Sequence, residues 1–252
     1  MKQGLFYGVG VGPGDPELMT LKAVNTIREC DVVALAVSSP DLKEAIYEKE
    51  DTISSNPLYL EKCVAYQIAL QIIPEISHKA KLYLPMPMIK DKHQLKEIHD
   101  KCAEKTEEIL NMGKSVAFIT LGDPTIYSTC LYVHKRLKEK GCETGLIPGI
   151  PSFCAAAARM DTGLVENREE LHVIPASYGI EESLELPGTK VLMKAGKKMP
   201  YVKQAVKEKS LQVQMVENCG LPGEKIYLDV EEIPDEASYY SLIVIKGKGC
   251  MK

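Results

Sequence analysis

One device recurs three times in the first 160 residues: a short apolar run, a Gly/Pro turn, then a helix-like segment. GLFYGVGVGPGDPELMTLKA, SVAFITLGDPTIY and ETGLIPGIPSFCAAAARM each follow it. Strands that feed helices through tight turns bury both faces of a parallel sheet, so the pattern dictates an α/β fold. After the first junction comes DVVALAV, a nearly continuous apolar run of the kind a buried parallel strand shows. Strand, helix and strand together predict a right-handed βαβ unit. Asp15 is placed to cap the first helix, with Pro16 at its first position, Glu17 at the positive end, and Leu18, Leu21, Val24 and Ile27 repeating along it.

The same reading predicts a strand over Lys79–Leu84, a helix over Lys92–Met112 and a strand over Ser115–Leu121. Asp123 and Pro124 then start a helix that reaches about Lys140, while the stretch from Asp51 to Ile89 is otherwise irregular. Beyond Arg159 the rhythm changes. LHVIPA, KVLMKA, LQVQMVE, KIYLDV and SYYSLIVIKG read as strands, with one clear helix near Lys197–Lys209. Strands outnumbering helices predict a mixed or antiparallel sheet, hence two α/β domains: residues 1–150 and 151–252, with the break near Ile150.

Composition bounds the partners. With 31 Lys and Arg against 35 Asp and Glu, the chain has no cationic surplus for phosphates, so nucleic acid is not expected as a partner. No apolar run approaches the roughly 18 residues that span a bilayer, so no membrane partner is expected either and a cytoplasmic location is. The 8 cysteines form no CxxC pair and read as small buried hydrophobes of a reduced protein. His78, His93, His99, His134 and His172 share no helical spacing, so no protein-held metal is expected.

VGVGPGD fails as a phosphate loop. GxGxxG read from Gly8 ends on Pro13, and read from Gly10 it ends on Asp15; no GK followed by Ser or Thr makes a P-loop. Asp15 also puts a negative charge where a bound anion would meet helix amides. Open α/β sheets nevertheless bind ligands beyond the carboxyl ends of their strands, where all three turns fall. They either converge on one crevice, with Asp123 as acceptor, or serve only as tight helix-start turns.

At these residues the sequence resembles the tetrapyrrole methylase family. VGVGPGDPELMTLKA matches its N-terminal signature, LGDPTIYS its glycine-aspartate-proline loop and PGIPSFCAAAA the junction of its domains. KVLMKAG, ENCGLPGEKI and YSLIVIKG match its C-terminal domain, and LPMPMIKDKHQL looks most like the precorrin-2 C(20)-methyltransferase branch. The resemblance implies a homodimer of two-domain chains, S-adenosylmethionine as methyl donor in the cleft between domains, and a tetrapyrrole substrate, either (cobalt-)precorrin-2 or cobalt-factor II. Any cobalt arrives with that substrate.

By motif, the resemblance places Pro13, Leu121, Gly122, Asp123, Ile126, Pro151 and Ser152 at the cofactor, and from the second domain Tyr178, Met193, Lys194, Cys219 and Ser241. Relatives carry Thr-Ala or Ser-Ser where this chain has Pro151-Ser152, which favours a backbone contact there. Asp15, Asp91 and Tyr127 are candidates for assisting proton loss, with helix capping the competing role for both acids. Arg136, Arg159, Arg168, Lys194 and Lys197 are candidates for the carboxylates of a macrocycle. Two other functions compete: a diphthine-type protein methyltransferase with the same fold, and a non-catalytic ligand-binding α/β protein.

Overall fold

The structure, a computed structural model, describes residues 2–50, 56–175, 180–195 and 198–247. The chain divides into two compact units, Met1–Pro151 and Ser152–Lys252.

The first unit is built on β1 (Phe6–Gly10), β2 (Val32–Val37), β3 (Ile46–Glu48), β4 (Ala80–Pro85), β5 (Val116–Thr120) and β6 (Thr144–Ile147). They lie in the order β3-β4-β2-β5-β1-β6, all parallel except β3, which runs antiparallel to β4 at one edge. Both faces are covered, as the apolar strands require. Phe6, Val32, Ala34, Leu82, Val116 and Phe118 point to one face and pack with Cys102, Ala103 and Leu110 of α4 (Lys92–Asn111) and Cys130, Val133 and Leu137 of α5 (Cys130–Glu139). Alternation sends Val9, Val33, Leu35 and Ile119 to the other face. There α1 (Leu21–Glu29) meets β1 and α3 (Val64–Ile72) meets β5.

The crossovers diverge at the centre of this sheet. From β1 the chain passes through α1 to β2, beyond β5; from β5 it passes through α5 to β6, beyond β1. Neighbouring strands whose connections leave in opposite directions open a crevice at their carboxyl ends, so the fold sets a ligand position between β1 and β5.

The second unit carries β7 (Leu171–Pro175), β8 (Thr189–Met193), β9 (Gln212–Glu217), β10 (Lys225–Tyr227) and β11 (Ser241–Lys246), in the order β10-β9-β11-β8-β7. Only β7 and β8 pair parallel, so the sheet is mixed as the strand-rich sequence predicts. Its core joins Leu192, Met215, Ile243 and Ile245 to Met199, Val202 and Val206 of α7 (Met199–Glu208). α6 (Ser152–Arg159) packs on β11.

Three expectations need correction. Asp15 caps only a 3-10 turn over Pro16–Leu18, its Oδ1 accepting the Glu17 N–H at 2.9 Å. Met19 and Thr20 are extended, which breaks the helix there, and Thr20 starts α1 by accepting the Ala23 N–H at 3.1 Å. Leu21 consequently stands 82% exposed rather than on the apolar stripe. Second, α5 begins at Cys130 and not at Asp123, because left-handed backbone at Gly122 (φ 70°) and Tyr127 (φ 48°) interrupts helical winding. Third, the region read as irregular holds α2 (Pro57–Lys62) and α3, and β3 just before it was not expected.

Among the described cysteines, Cys30, Cys102, Cys130, Cys142 and Cys219 are buried and Cys154 is exposed. Burial pushes the Cys30, Cys102 and Cys130 thiols up to about 12. Among the described residues no helix is long and apolar enough to cross a membrane.

The capping assignment is testable by urea denaturation. Thr20→Ala should cost about 1 kcal/mol, and Asp15→Ala, whose cap serves a single 3-10 turn, should cost measurably less.

Candidate functional site

At the carboxyl ends of β5, β1 and β6 the three Gly/Pro turns are fused through their backbones. Val11 N donates to Thr120 O at 3.0 Å, and Gly12 and Gly122 exchange both bonds of an antiparallel bridge, at 3.3 and 2.7 Å. The third turn closes on the other two. A β-carbon on Gly149 would fall inside contact distance of Gly122 O, and one on Gly10 would lie 2.5 Å from that oxygen and 2.7 Å from Gly149 N. These glycines let main chain lie on main chain; the space beside them is filled by the neighbouring turn rather than left as a cradle.

Asp123 locks the arrangement. Its Oδ2 accepts the Gly149 N–H at 3.0 Å, while Oδ1 accepts the Thr125 N–H at 2.7 Å and the Thr125 hydroxyl. The side chain is buried, and three of its acceptor positions serve the loops themselves, so its first task is to hold the second and third turns together. Thr20 adds a further tie, its hydroxyl donating to Pro148 O at 3.3 Å.

Of the remaining candidates through Ser152, several lie on or directly after the turns. Pro13 is buried in the first turn, Leu121 and Ile126 are half-buried in the second, and Pro151 and Ser152 follow the third. Tyr127 stands about half exposed in left-handed backbone, a conformation that costs a bulky residue of order 1–3 kcal/mol. Asp91 caps α4, accepting the His93 and Gln94 N–H groups at 2.9 and 3.0 Å. Arg136 is committed to Asp100 at 2.6 Å.

The second unit gathers its own candidates at one sheet edge. Met193 ends β8 opposite Leu242, and Ser241 starts β11 opposite Glu217 at the end of β9, with Cys219 two residues on. Lys194, at φ 61°, sets its ammonium 5.5 Å from the centre of the Tyr239 ring, a cation–π contact. The Ser241 Oγ is buried and has no hydrogen-bond partner among the described residues. Such a group costs free energy unless something satisfies it. Arg159 binds Glu224 at 2.8 Å and holds that carboxyl below the ordinary carboxylate range. Tyr178 and Lys197 lie outside the described residues.

Sequence reasoning missed Thr20, Thr125 and Tyr239. Thr20 carried a signal, a capping residue directly before LKAVNTI. Thr125 and Tyr239 carried none, because each acquires its role from a partner that only folding supplies. Among the described residues no group of three or more His, Cys, Asp or Glu side chains could hold a metal ion.

Comparison with known proteins follows the same outline. A family model described as Tetrapyrrole (Corrin/Porphyrin) Methylases matches residues 5–234. A probable cobalt-precorrin-2 C(20)-methyltransferase from Methanocaldococcus jannaschii is 32% identical over 246 residues, covering 95% of both chains. A precorrin-2 C(20)-methyltransferase from Sinorhizobium is 28% identical over 97% of this chain and 96% of its own. Among solved structures, uroporphyrin-III C-methyl transferase from Thermus thermophilus complexed with S-adenosyl homocysteine matches with a TM-score of 0.65. It is 18% identical over 96% of this chain and 97% of its own, which is a likeness of fold.

The fused turns give a paired prediction. Gly149→Ala should cost about 1–3 kcal/mol by overpacking against Gly122 O. Gly163→Ala, where an added β-carbon meets nothing within 4 Å, should leave the unfolding midpoint unchanged in the same denaturation series.

Proposed function

This chain belongs to the tetrapyrrole (corrin/porphyrin) methylases, and we propose that it methylates carbon 20 of a precorrin-2-type macrocycle in cobalamin biosynthesis. What carries this reading is the match, at 32% identity and across 95% of both chains, to a relative named for that reaction. The chain is a C-methyltransferase of cobalamin biosynthesis, and its methyl donor on this reading is S-adenosylmethionine.

The residues suit that donor. It brings an electrophilic methyl group on a positively charged sulfonium and needs no phosphate cradle. The turn after β1 offers none, since Asp15 spends its side chain at the start of the 3-10 turn. The knot of turns at the β1/β5 switch point presents Pro13, Leu121, Gly122, Asp123, Ile126, Pro151 and Ser152 along one edge of the first sheet, and we assign them to the donor. Pro151 has no N–H, so its contact is through the carbonyl or ring. From the second unit we assign Met193, Lys194, Cys219 and Ser241, the last because its hydroxyl lacks a partner.

Displacement at carbon needs alignment more than acid/base work, and positioning alone contributes roughly 7–11 kcal/mol in favourable systems. The rigid backbone knot supplies that alignment. After attack the macrocycle must lose a proton from the methylated carbon. Asp15 and Asp91 are both engaged in capping, so Tyr127, half-exposed on the loop after β5, is the residue we place nearest that step. The family resemblance further supports a homodimer acting in the cytoplasm, with light scattering the check on its mass.

Mass spectrometry tests the reaction. Protein incubated with S-adenosylmethionine should add one methyl group to cobalt-factor II or to metal-free precorrin-2 and none to uroporphyrinogen III. No methylation of either precorrin-type ring would overturn the proposal. Tyr127→Phe should lower kcat by roughly 100-fold with KM for the donor unchanged; an unaltered kcat would remove Tyr127 from the proton path.

A further inference from the structure

A cavity of about 400 Å³ opens in the second unit, bounded by residues 168–170, residues 187–190 and Gly247. It sits where β7 and β8 begin and β11 ends, the opposite edge of the sheet from Met193 and Ser241. Thr189 and Met193 are four residue steps apart on β8, roughly 13 Å of strand. Nothing in the methyl-transfer reading uses this cavity.

Its charges are unbalanced in a specific way. The carboxylates around it are occupied within the unit. Glu169 Oε2 accepts the Glu166 N–H at 3.0 Å. Glu170 Oε2 stands 3.2 Å from His172 Nε2, without the alignment of a hydrogen bond. Glu185, which acts electrostatically on Lys190, is bound to the Lys209 ammonium at 2.6 Å.

The cations are not occupied. Lys190 is 4% exposed, yet among the described residues its ammonium has neither a hydrogen bond nor an ion pair. Arg168 lines the same cavity, is exposed, and likewise has no partner there. The Lys190 side chain is buried along most of its length, and desolvation pulls its pKa down. A fold keeps such a group where something else completes it. Guanidinium and ammonium on the wall of one cavity match the oxygens of a phosphate or carboxylate.

We infer that this cavity is a second ligand site, in which Lys190 and Arg168 bind a small oxyanion, the phosphate or carboxylate group of a metabolite. The site is separate from the donor site and independent of which substrate the enzyme methylates.

Titration calorimetry on the full chain, with inorganic phosphate and with succinate at constant ionic strength set by sodium chloride, tests this. Saturable binding of at least one is expected, and the preferred anion identifies the group as phosphoryl or carboxylate. Lys190→Met should weaken that binding at least about tenfold. It should also leave the thermal midpoint unchanged or higher, because an apolar side chain of similar length keeps the packing of the buried stem and removes an unpaired charge. Arg168→Gln, on an exposed residue, should weaken binding severalfold and decides the case if Lys190→Met does not fold. Absence of saturable binding of both anions overturns the inference, as does undiminished binding in both variants.

Discussion

Main chain can lie directly on main chain only where no side chain intervenes, and Gly10 and Gly149 both use that permission against the Gly122 carbonyl, which joins the three turns. The Gly12–Gly122 bridge and the Asp123 carboxylate then hold the turns in place. Because the strands beneath are β5, β1 and β6, side by side at the centre and edge of a parallel sheet, the knot sits over the point where the crossovers part. The rest of the first unit follows: α1 and α5 must leave on opposite faces, and the crevice must open between them.

That arrangement changes what its polar residues are for. Asp123 resembles a ligand contact by motif, yet three of its acceptor positions are committed to Gly149 and Thr125. Preorganisation of this kind fixes a binding surface before any ligand arrives, which lowers the ordering cost of binding. The second unit distributes polarity differently. Among the described residues it leaves Ser241 Oγ and the Lys190 ammonium without partners, toward opposite ends of the same strands. Beside a core that is largely apolar, such groups mark where chemistry rather than packing chose the residue.

Much of this was legible in the residues. The strands of both units other than β3, the mixed character of the second sheet and the convergence of the three turns all follow from apolar runs and Gly/Pro punctuation. What escaped did so for identifiable reasons. Asp15-Pro16 looks like a helix start because it is one, but for a 3-10 turn; the extended backbone of Met19 that ends it has no local sequence signature, although Thr20 after it is a capping residue type. The delayed start of α5 depends on the left-handed backbone of Tyr127, which a tyrosine does not advertise. The short elements before β4 lacked a clear period, and α2 starts on a proline within mixed polarity. For the site, motif spacing found the loops, whereas partners such as Thr125 for Asp123 and Tyr239 for Lys194 arise only from three-dimensional packing.

The central claim is that the fused turns at the β1/β5 switch point are the donor site. Hydrogen–deuterium exchange of the full chain with and without S-adenosylhomocysteine tests it directly. The account predicts ligand-dependent protection concentrated on residues 10–14, 121–127 and 149–152. Binding that leaves the amides of all three segments unchanged while protecting others would contradict it.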